Sequence, residues 1–260
     1  MPVQFHAAYL HTEIDDPTRP CAIACESSIE AGQSVARVAA GRSGPRDALA
    51  VKRADRTRDA EATREDILEA ATEEFADKGL SGARIDKIAD RTSTSKRMIY
   101  YYFGSKDALY RAVLEREYSR IRRAEASIAL DRLDPKEALT ELIRETFDSH
   151  LERPNFIRLV MNENIHHAEH LKQVRGLKKL NERMIGSLAD TIERGVKSKL
   201  FRRGIDPLDL HINITALCFY TVSNRYTFRQ GFARDMWSRG EVKKRREQVI
   251  EVILRWCAAD

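Results

Sequence analysis

The sequence predicts an all-α fold, with an N-terminal helix-turn-helix segment followed by a C-terminal helical bundle. Three observations carry that prediction. Apolar residues recur at helical spacing from Ile67 to Trp256, and no stretch alternates with the period of a strand. Gly and Pro fall between the periodic stretches, at Gly79, Pro135, Pro154, Gly204 and Pro207, where one helix ends or the next begins. Charged residues make up 33% of the chain and aromatics only 7%, the balance of a helical rather than a β-rich protein.

The 260 residues include 45 Lys or Arg against 40 Asp or Glu, a formal net charge of +5. That excess permits nucleic-acid binding but argues for it only where the cations cluster. A hydrophobic fraction of 42% supplies a sizeable core. No run of ~20 apolar residues exists to span a bilayer, so a cytoplasmic protein without a membrane partner is expected. Cys21 and Cys25 have the spacing of two metal ligands but lack a matching second pair. With Cys218 and Cys257 they are expected to be free thiols in a reducing compartment, and no cofactor is expected.

Residues 1–58 are expected to be a disordered or weakly structured basic extension. Met1 to Asp16 has no period and carries Glu13, Asp15 and Asp16 where a secretory signal would carry positive charge. From Arg46 to Arg64, the cations Arg46, Lys52, Arg53, Arg56, Arg58 and Arg64 crowd a stretch without an apolar stripe. It reads either as a solvated linker or as a flexible arm that reaches a minor groove or backbone.

Residues 59–114 form the predicted helix-turn-helix domain. Thr63-Arg-Glu-Asp66 has the form of a capping box, opening a helix with Ile67, Leu68, Ala71 and Phe75 on one side, and Gly79 stands at its C-cap. Ile85, Ile88 and Ala89 give the second helix an inward face. Thr92, Ser93 and Thr94 interrupt it, because their hydroxyls compete for backbone hydrogen bonds. Ser95 caps a third helix in which Met98, Ile99 and Tyr102 are expected to face inward, leaving Lys96, Arg97, Tyr100 and Tyr101 outside. Ser105 caps a fourth helix carrying Leu109, Val113 and Leu114. By itself the central pair is either a helical hairpin with a basic surface or a helix-turn-helix whose second helix enters the major groove.

Joined together, these residues resemble the TetR/AcrR-type transcriptional regulators. The resemblance covers Thr63 to Leu114 and rests on Ile67, Ala70, Phe75, Gly79, Ile88-Ala89, Ser95, the run Ile99-Tyr100-Tyr101-Tyr102-Phe103, and Ser105-Lys106-Asp107-Ala108-Leu109. It implies a ligand-responsive repressor, not an enzyme, that binds a palindromic double-stranded DNA operator as a homodimer and releases it on binding a small-molecule inducer. The DNA contacts it implies are Arg84, Ser95, Lys96, Arg97, Tyr100, Tyr101, Tyr102 and Lys106. Two positions depart from the family pattern. Thr92-Ser93-Thr94 replaces Ala-Gly-Val in the turn, so a left-handed residue there is expected to cost about 1–2 kcal/mol. Arg84 stands where the family favours Thr, which makes the expected phosphate contact longer and charged.

Residues 115–260 are the predicted regulatory and dimerisation domain. The connecting helix continues through Tyr118 and Ile121 with Arg116, Arg120, Arg122 and Arg123 expected outside. It is the one covalent link between domains, so coupling is expected to pass through its tilt. Asp134-Pro135 opens a helix with Leu139, Leu142, Ile143 and Phe147, and Pro154 starts another. Leu177 to Leu200 is amphipathic. The helices expected at 207–228 and 241–257 are apolar over wide arcs and match the place of the family's dimer seam, with Val249 and Ile253 expected in it. Phe147, Phe156 and Met161, with polar Asn162 and His166, are the expected inducer contacts, suiting a small, partly aromatic or apolar molecule.

One cluster points to other chemistry. In a continuous helix, Glu163, His167 and His170 share a face and offer three ligands to a divalent metal. A metal-dependent all-α enzyme built on them, or a helix-turn-helix architectural protein without a ligand, is the alternative. No phosphate loop, nucleophile elbow or dinucleotide fingerprint is present in the sequence.

Overall fold

In the computed structural model, which describes the backbone of residues 45–259 and the side chains of residues 58–259, the first helix begins far ahead of its apolar stripe. This helix, α1, runs Pro45–Gly82. Pro suits a first helical position, and no Gly or Pro follows before Gly79, so Ala, Arg and Glu carry the helix straight through the expected cap. Thr63 therefore sits mid-helix, its Oγ1 donating to the Asp59 carbonyl at 2.8 Å instead of capping. The expectation of weak structure for residues 1–58 is corrected for 45–58, which are helical; residues 1–44, with Cys21 and Cys25, lie outside the described residues. Gly79 breaks the regular helix at φ 65°, a conformation glycine adopts without steric cost.

Three helices complete the first apolar cluster: α2 (Ile85–Arg91), α3 (Lys96–Phe103) and α4 (Lys106–Ser127). Ile67, Phe75, Ile88, Ile99, Leu109 and Leu114 are buried together in it. Each such side chain contributes about 1.5–3 kcal/mol of burial free energy. A 3-10 turn at Leu130–Arg132 leads to α5 (Pro135–Glu152) and α6 (Pro154–Ile165), followed by α7 (Leu177–Lys197) and α8 (Pro207–Ser223). Asp134 and Asp206 cap α5 and α8, accepting from Lys136 N–H and from Leu208 and Asp209 N–H, each just ahead of a proline. The helix expected at 207–228 is two helices: Asn224 interrupts it and α9 (Arg225–Phe232) follows. The last helix, α10, runs Arg239–Cys257. Among the described residues there is no strand, only an isolated bridge between Phe201 and Ala258. No described helix is long and apolar enough to cross a membrane.

The second and larger cluster packs α5 against α7, α8 and α10 through Leu139, Ile143, Phe147, Leu188, Leu210 and Ile214. Val249 and Ile253 belong to it, and that corrects their expected role. They fill the core of their own chain, while the large exposed apolar side chains of α8 and α10 are Leu208, Ile212, Tyr220 and Val252. A third cluster gathers Ile121, Phe156, Ile157 and Val222. Residues Leu49–Asp260 form one compact unit.

Of the four arginines expected outside α4 only Arg123 is exposed; Arg120 is half-buried and pairs with Glu65 at 2.7 Å, and two others are held more closely. The Arg116 side chain is nearly buried against α1, pairing with Glu65 at 2.9 Å and with Glu69. Arg122 is held by Glu125 and by Asn181 Oδ1, its Nε donating to the latter at 2.8 Å.

Candidate nucleic-acid interface and ligand cavity

The geometry of α3 follows from two buried isoleucines and one serine. Ile88 and Ile99 lock α2 and α3 into the first cluster. Between them the chain turns without strain. Thr92 is extended (φ −113°, ψ 138°), and none of Thr92, Ser93 or Thr94 has positive φ, which corrects the expected left-handed residue. Thr92 manages the turn with its side chain: Oγ1 donates to the Ile88 carbonyl at 3.1 Å while its N–H closes the end of α2. Ser95 Oγ then accepts the Met98 N–H at 3.3 Å, capping α3.

This leaves Ser95, Lys96, Arg97, Tyr100 and Tyr101 exposed on one helix, with Tyr101 at 79% the most open of the large side chains. Met98, expected to face inward, is 37% exposed; an eight-residue helix anchored through Ile99 has little surface left to cover it. Tyr102 is half-buried against the first cluster, its ring 5.6 Å from that of Tyr101. The neighbouring cations are spoken for: Arg84 grips Asp86 with Nη2 at 2.6 Å, Arg91 pairs with Glu73 at 3.2 Å, and Lys87 with Asp90 at 3.4 Å. Lys96 and Arg97 have no carboxylate partner among the described residues. Lys106 is half-buried at the start of α4, with Nζ donating to the Ser81 carbonyl at 3.2 Å.

The five expected inducer contacts do not converge. Phe147 lies in the second cluster, Phe156 in the third, and Met161 is exposed. Asn162 and His166 line a cavity of about 320 Å3 between α1, α4 and α6, which includes Tyr110 and Glu163. The reason is that α6 is short: its apolar side packs inward and its polar end turns toward α1. The Glu163/His167/His170 grouping fails for the same cause. α6 ends at Ile165, His167 adopts φ 56°, and the buried Glu163 is occupied by His170 Nδ1 at 3.2 Å and the Leu171 N–H at 2.9 Å. The described residues contain no group of His, Cys, Asp or Glu arranged to hold a metal.

A larger cavity, about 530 Å3, opens between the end of α4, the 3-10 turn, α5 and α7. Arg122, Arg183 and Arg194 line it with Glu125, Leu142 and Met184. From the sequence Arg122 is expected only as an outward cation and Arg183 and Arg194 carry no role, because an arginine on an amphipathic helix looks solvated until its neighbours are known. His150, 4% exposed, leaves Nδ1 without a partner. Burial, then the nearby Arg122 and His211, push its pKa down to about 4. His211 is likewise lowered to about 4 by burial and Arg122. Burial raises the Glu125 carboxyl above its usual range, against the pull of Arg122.

Residues 67–113 match the model for bacterial regulatory proteins of the tetR family, and residues 135–253 match that of the tetracyclin repressor-like C-terminal domain. The HTH-type transcriptional repressor NicS of Pseudomonas putida is 37% identical over 181 residues, spanning 70% of this chain and 85% of that protein. The HTH-type transcriptional repressor SCO4008 of Streptomyces coelicolor is 34% identical over 140 residues, 54% of this chain and 69% of that one. Among solved structures, the Streptomyces coelicolor protein SCO4942 superposes with a TM-score of 0.58 at 28% identity, covering 75% of this chain and 98% of its own. A TetR family transcription regulator from Marinobacter aquaeolei reaches 0.60 at 23% identity, over 79% and 100%, and speaks to the fold.

Proposed function

Because the chain belongs to the TetR family of transcriptional regulators, we propose that it represses by docking the exposed face of α3 in the major groove of a palindromic operator, as a homodimer. It is a ligand-responsive DNA-binding protein, not an enzyme. The observation that carries the finer reading is the pairing state of the cations: Lys96 and Arg97 stand unpaired on the capped start of α3, while Arg84, Lys87 and Arg91 are neutralised by carboxylates. Free guanidinium and ammonium groups at a recognition helix reach base edges and phosphates. Tyr100 and Tyr101 add hydroxyl donors and apolar rings to the same face. Arg84, Tyr102 and Lys106 belong to the proposed surface as flanking groups, each already engaged within the protein.

Residues 59–114 would serve as the DNA-binding part and 115–260 as the regulatory and dimerisation part. Leu208, Ile212, Tyr220 and Val252 support a seam on the outer sides of α8 and α10, since a two-fold interface uses the same patch twice. The ligand acts through α4, which carries Arg122 and Glu125 at the cavity and Leu109 and Leu114 in the DNA-binding core. Selection of genomic fragments by the purified protein, followed by titration of the recovered site, tests the reading. A two-fold-symmetric site bound in a salt-dependent manner is expected, with half-sites one helical turn apart. Recovery of no preferred sequence would overturn it.

A further inference from the structure

We propose that the ligand sensed by this protein is a small organic anion with an apolar body, held in the 530 Å3 cavity by Arg194 and Arg122. The inference rests on the ligand-responsive reading above and adds the chemical class of the ligand. Its centre is Arg194. This half-buried guanidinium donates from Nη1 to the Leu133 carbonyl and from Nη2 to the Leu130 carbonyl, both at 2.7 Å. Both acceptors are neutral, and no carboxylate lies within ion-pair distance of it among the described residues. The group is thus fixed in direction while its charge stays uncompensated, and removing a charge from water without a counter-charge is costly. An anion in the cavity relieves that cost.

The rest of the wall agrees in sign. Five arginines line the cavity against three carboxylates. Glu125 is taken by Arg122. Asp131 and Asp190 are exposed and pair with none of the five. The side chains of Arg123, Arg132 and Arg183 make no hydrogen bond or ion pair among the described residues. A cationic ligand would meet guanidinium groups with the one buried carboxylate already occupied. A neutral ligand would leave Arg194 as it is. An anion can be shared between Arg194 on α7 and Arg122 on α4, a charge-assisted arrangement. Ile128, Leu142, Leu180 and Met184 supply apolar wall for the remainder of the molecule. The volume lies within the usual range of small-molecule sites, roughly 300–1,000 Å3.

The test uses pairs matched in size and shape, one member charged and the other neutral: octanoate with octanamide, and 2-naphthoate with 2-naphthamide. Calorimetry on the full-length protein, without DNA, should show binding of an acid and not of its amide, with affinity falling as salt is raised. Arg194→Gln should weaken that binding about tenfold or more, the loss of one charge-assisted hydrogen bond. Since Arg194 also holds the 3-10 turn, Arg183→Glu provides a second variant at an exposed, unpaired site. It should weaken acid binding by about fivefold with the fold intact. Amides binding as well as acids, no acid binding at all, or acid affinity unchanged in the folded variants would each overturn the assignment. A protein that binds acids but selects no DNA would remove the regulatory reading and leave this one standing. A protein that selects an operator and ignores every acid would do the reverse.

Discussion

The side-chain amide of Asn162 donates to the Phe75 carbonyl across 3.4 Å, tying α6 to α1. The same helix sends Leu159, fully buried, into the apolar cluster of α1 to α4. The helices proposed to carry the DNA-binding face are therefore gripped from two sides, by α4 through the chain and by α6 through space. The sequence leads to the expectation that coupling passes through the tilt of α4, the covalent link; α6 adds a contact through space.

That grip is testable at Asn162. Asn162→Ala should cost about 0.5–1.5 kcal/mol in urea unfolding, the usual worth of one hydrogen bond. Operator affinity should shift as well, although residue 162 lies on α6 and is not among the proposed DNA contacts. Unchanged operator affinity in a measurably destabilised variant would assign the coupling to α4.

On the DNA-facing side, Arg97→Ala should lose about 1–3 kcal/mol of operator affinity and relax base preference at one position of each half-site. Arg84→Ala should lose less, because Asp86 already neutralises that guanidinium. Titrations at several salt concentrations separate the two, since a phosphate contact changes the salt slope and a base contact changes the sequence preference. Equal, sequence-independent losses for both variants would contradict the assignment of Arg97 to a base.

Assembly is probed by two neighbours on α10. Ile253, 2% exposed, fills the core, so Ile253→Glu buries an unpaired charge and should abolish folding rather than yield monomers. Val252, 52% exposed, points the other way. Val252→Glu should keep the thermal transition and shift the protein to monomer in sedimentation, with operator affinity falling alongside. A dimeric Val252→Glu protein would move the seam to another surface.

His150 makes a prediction about acid. Its pKa falls from 6.5 to about 4 on folding, with burial as the main cause and Arg122 and His211 adding to it. Above pH 6.5 the imidazole is neutral in both states and costs nothing. As pH falls from 6.5 toward 4 the unfolded chain takes up the proton and the folded one does not, so stability is lost across that window. At 1.36 kcal/mol per unit the loss is on the order of 3 kcal/mol. Urea unfolding from pH 7 to pH 4 should show it, and His150→Gln should flatten that limb. An unaltered slope in the variant would assign the acid sensitivity to other groups.

Much of the local structure around α3, the proposed DNA-binding helix, was readable in the sequence because its signals are local. Ser95 and Ser105 sit one residue ahead of the helices they cap, and Ile85, Ile88 and Ile99 mark their inward sides within a few turns. The exceptions were equally local failures. Thr63 looked like a cap but lies inside a helix that no Gly or Pro stops, and the hydroxyls of the turn supplied hydrogen bonds instead of a left-handed residue.

What the sequence by itself determined is most of the helices, though not the stretch 45–58 or the interruption at Asn224, with their breaks at Gly79, Pro135, Pro154 and Pro207, and the cations on the start of α3. Tertiary structure alone decided which apolar side of α10 is core and which is free, since periodicity marks a stripe without naming the neighbour that covers it. It alone also assembled the arginine-lined cavity. Arg194 meets carbonyls 61 and 64 positions earlier in the chain, and only the packing of α7 against α4 and α5 brings that charge to a cavity where none of the described carboxylates pairs with it.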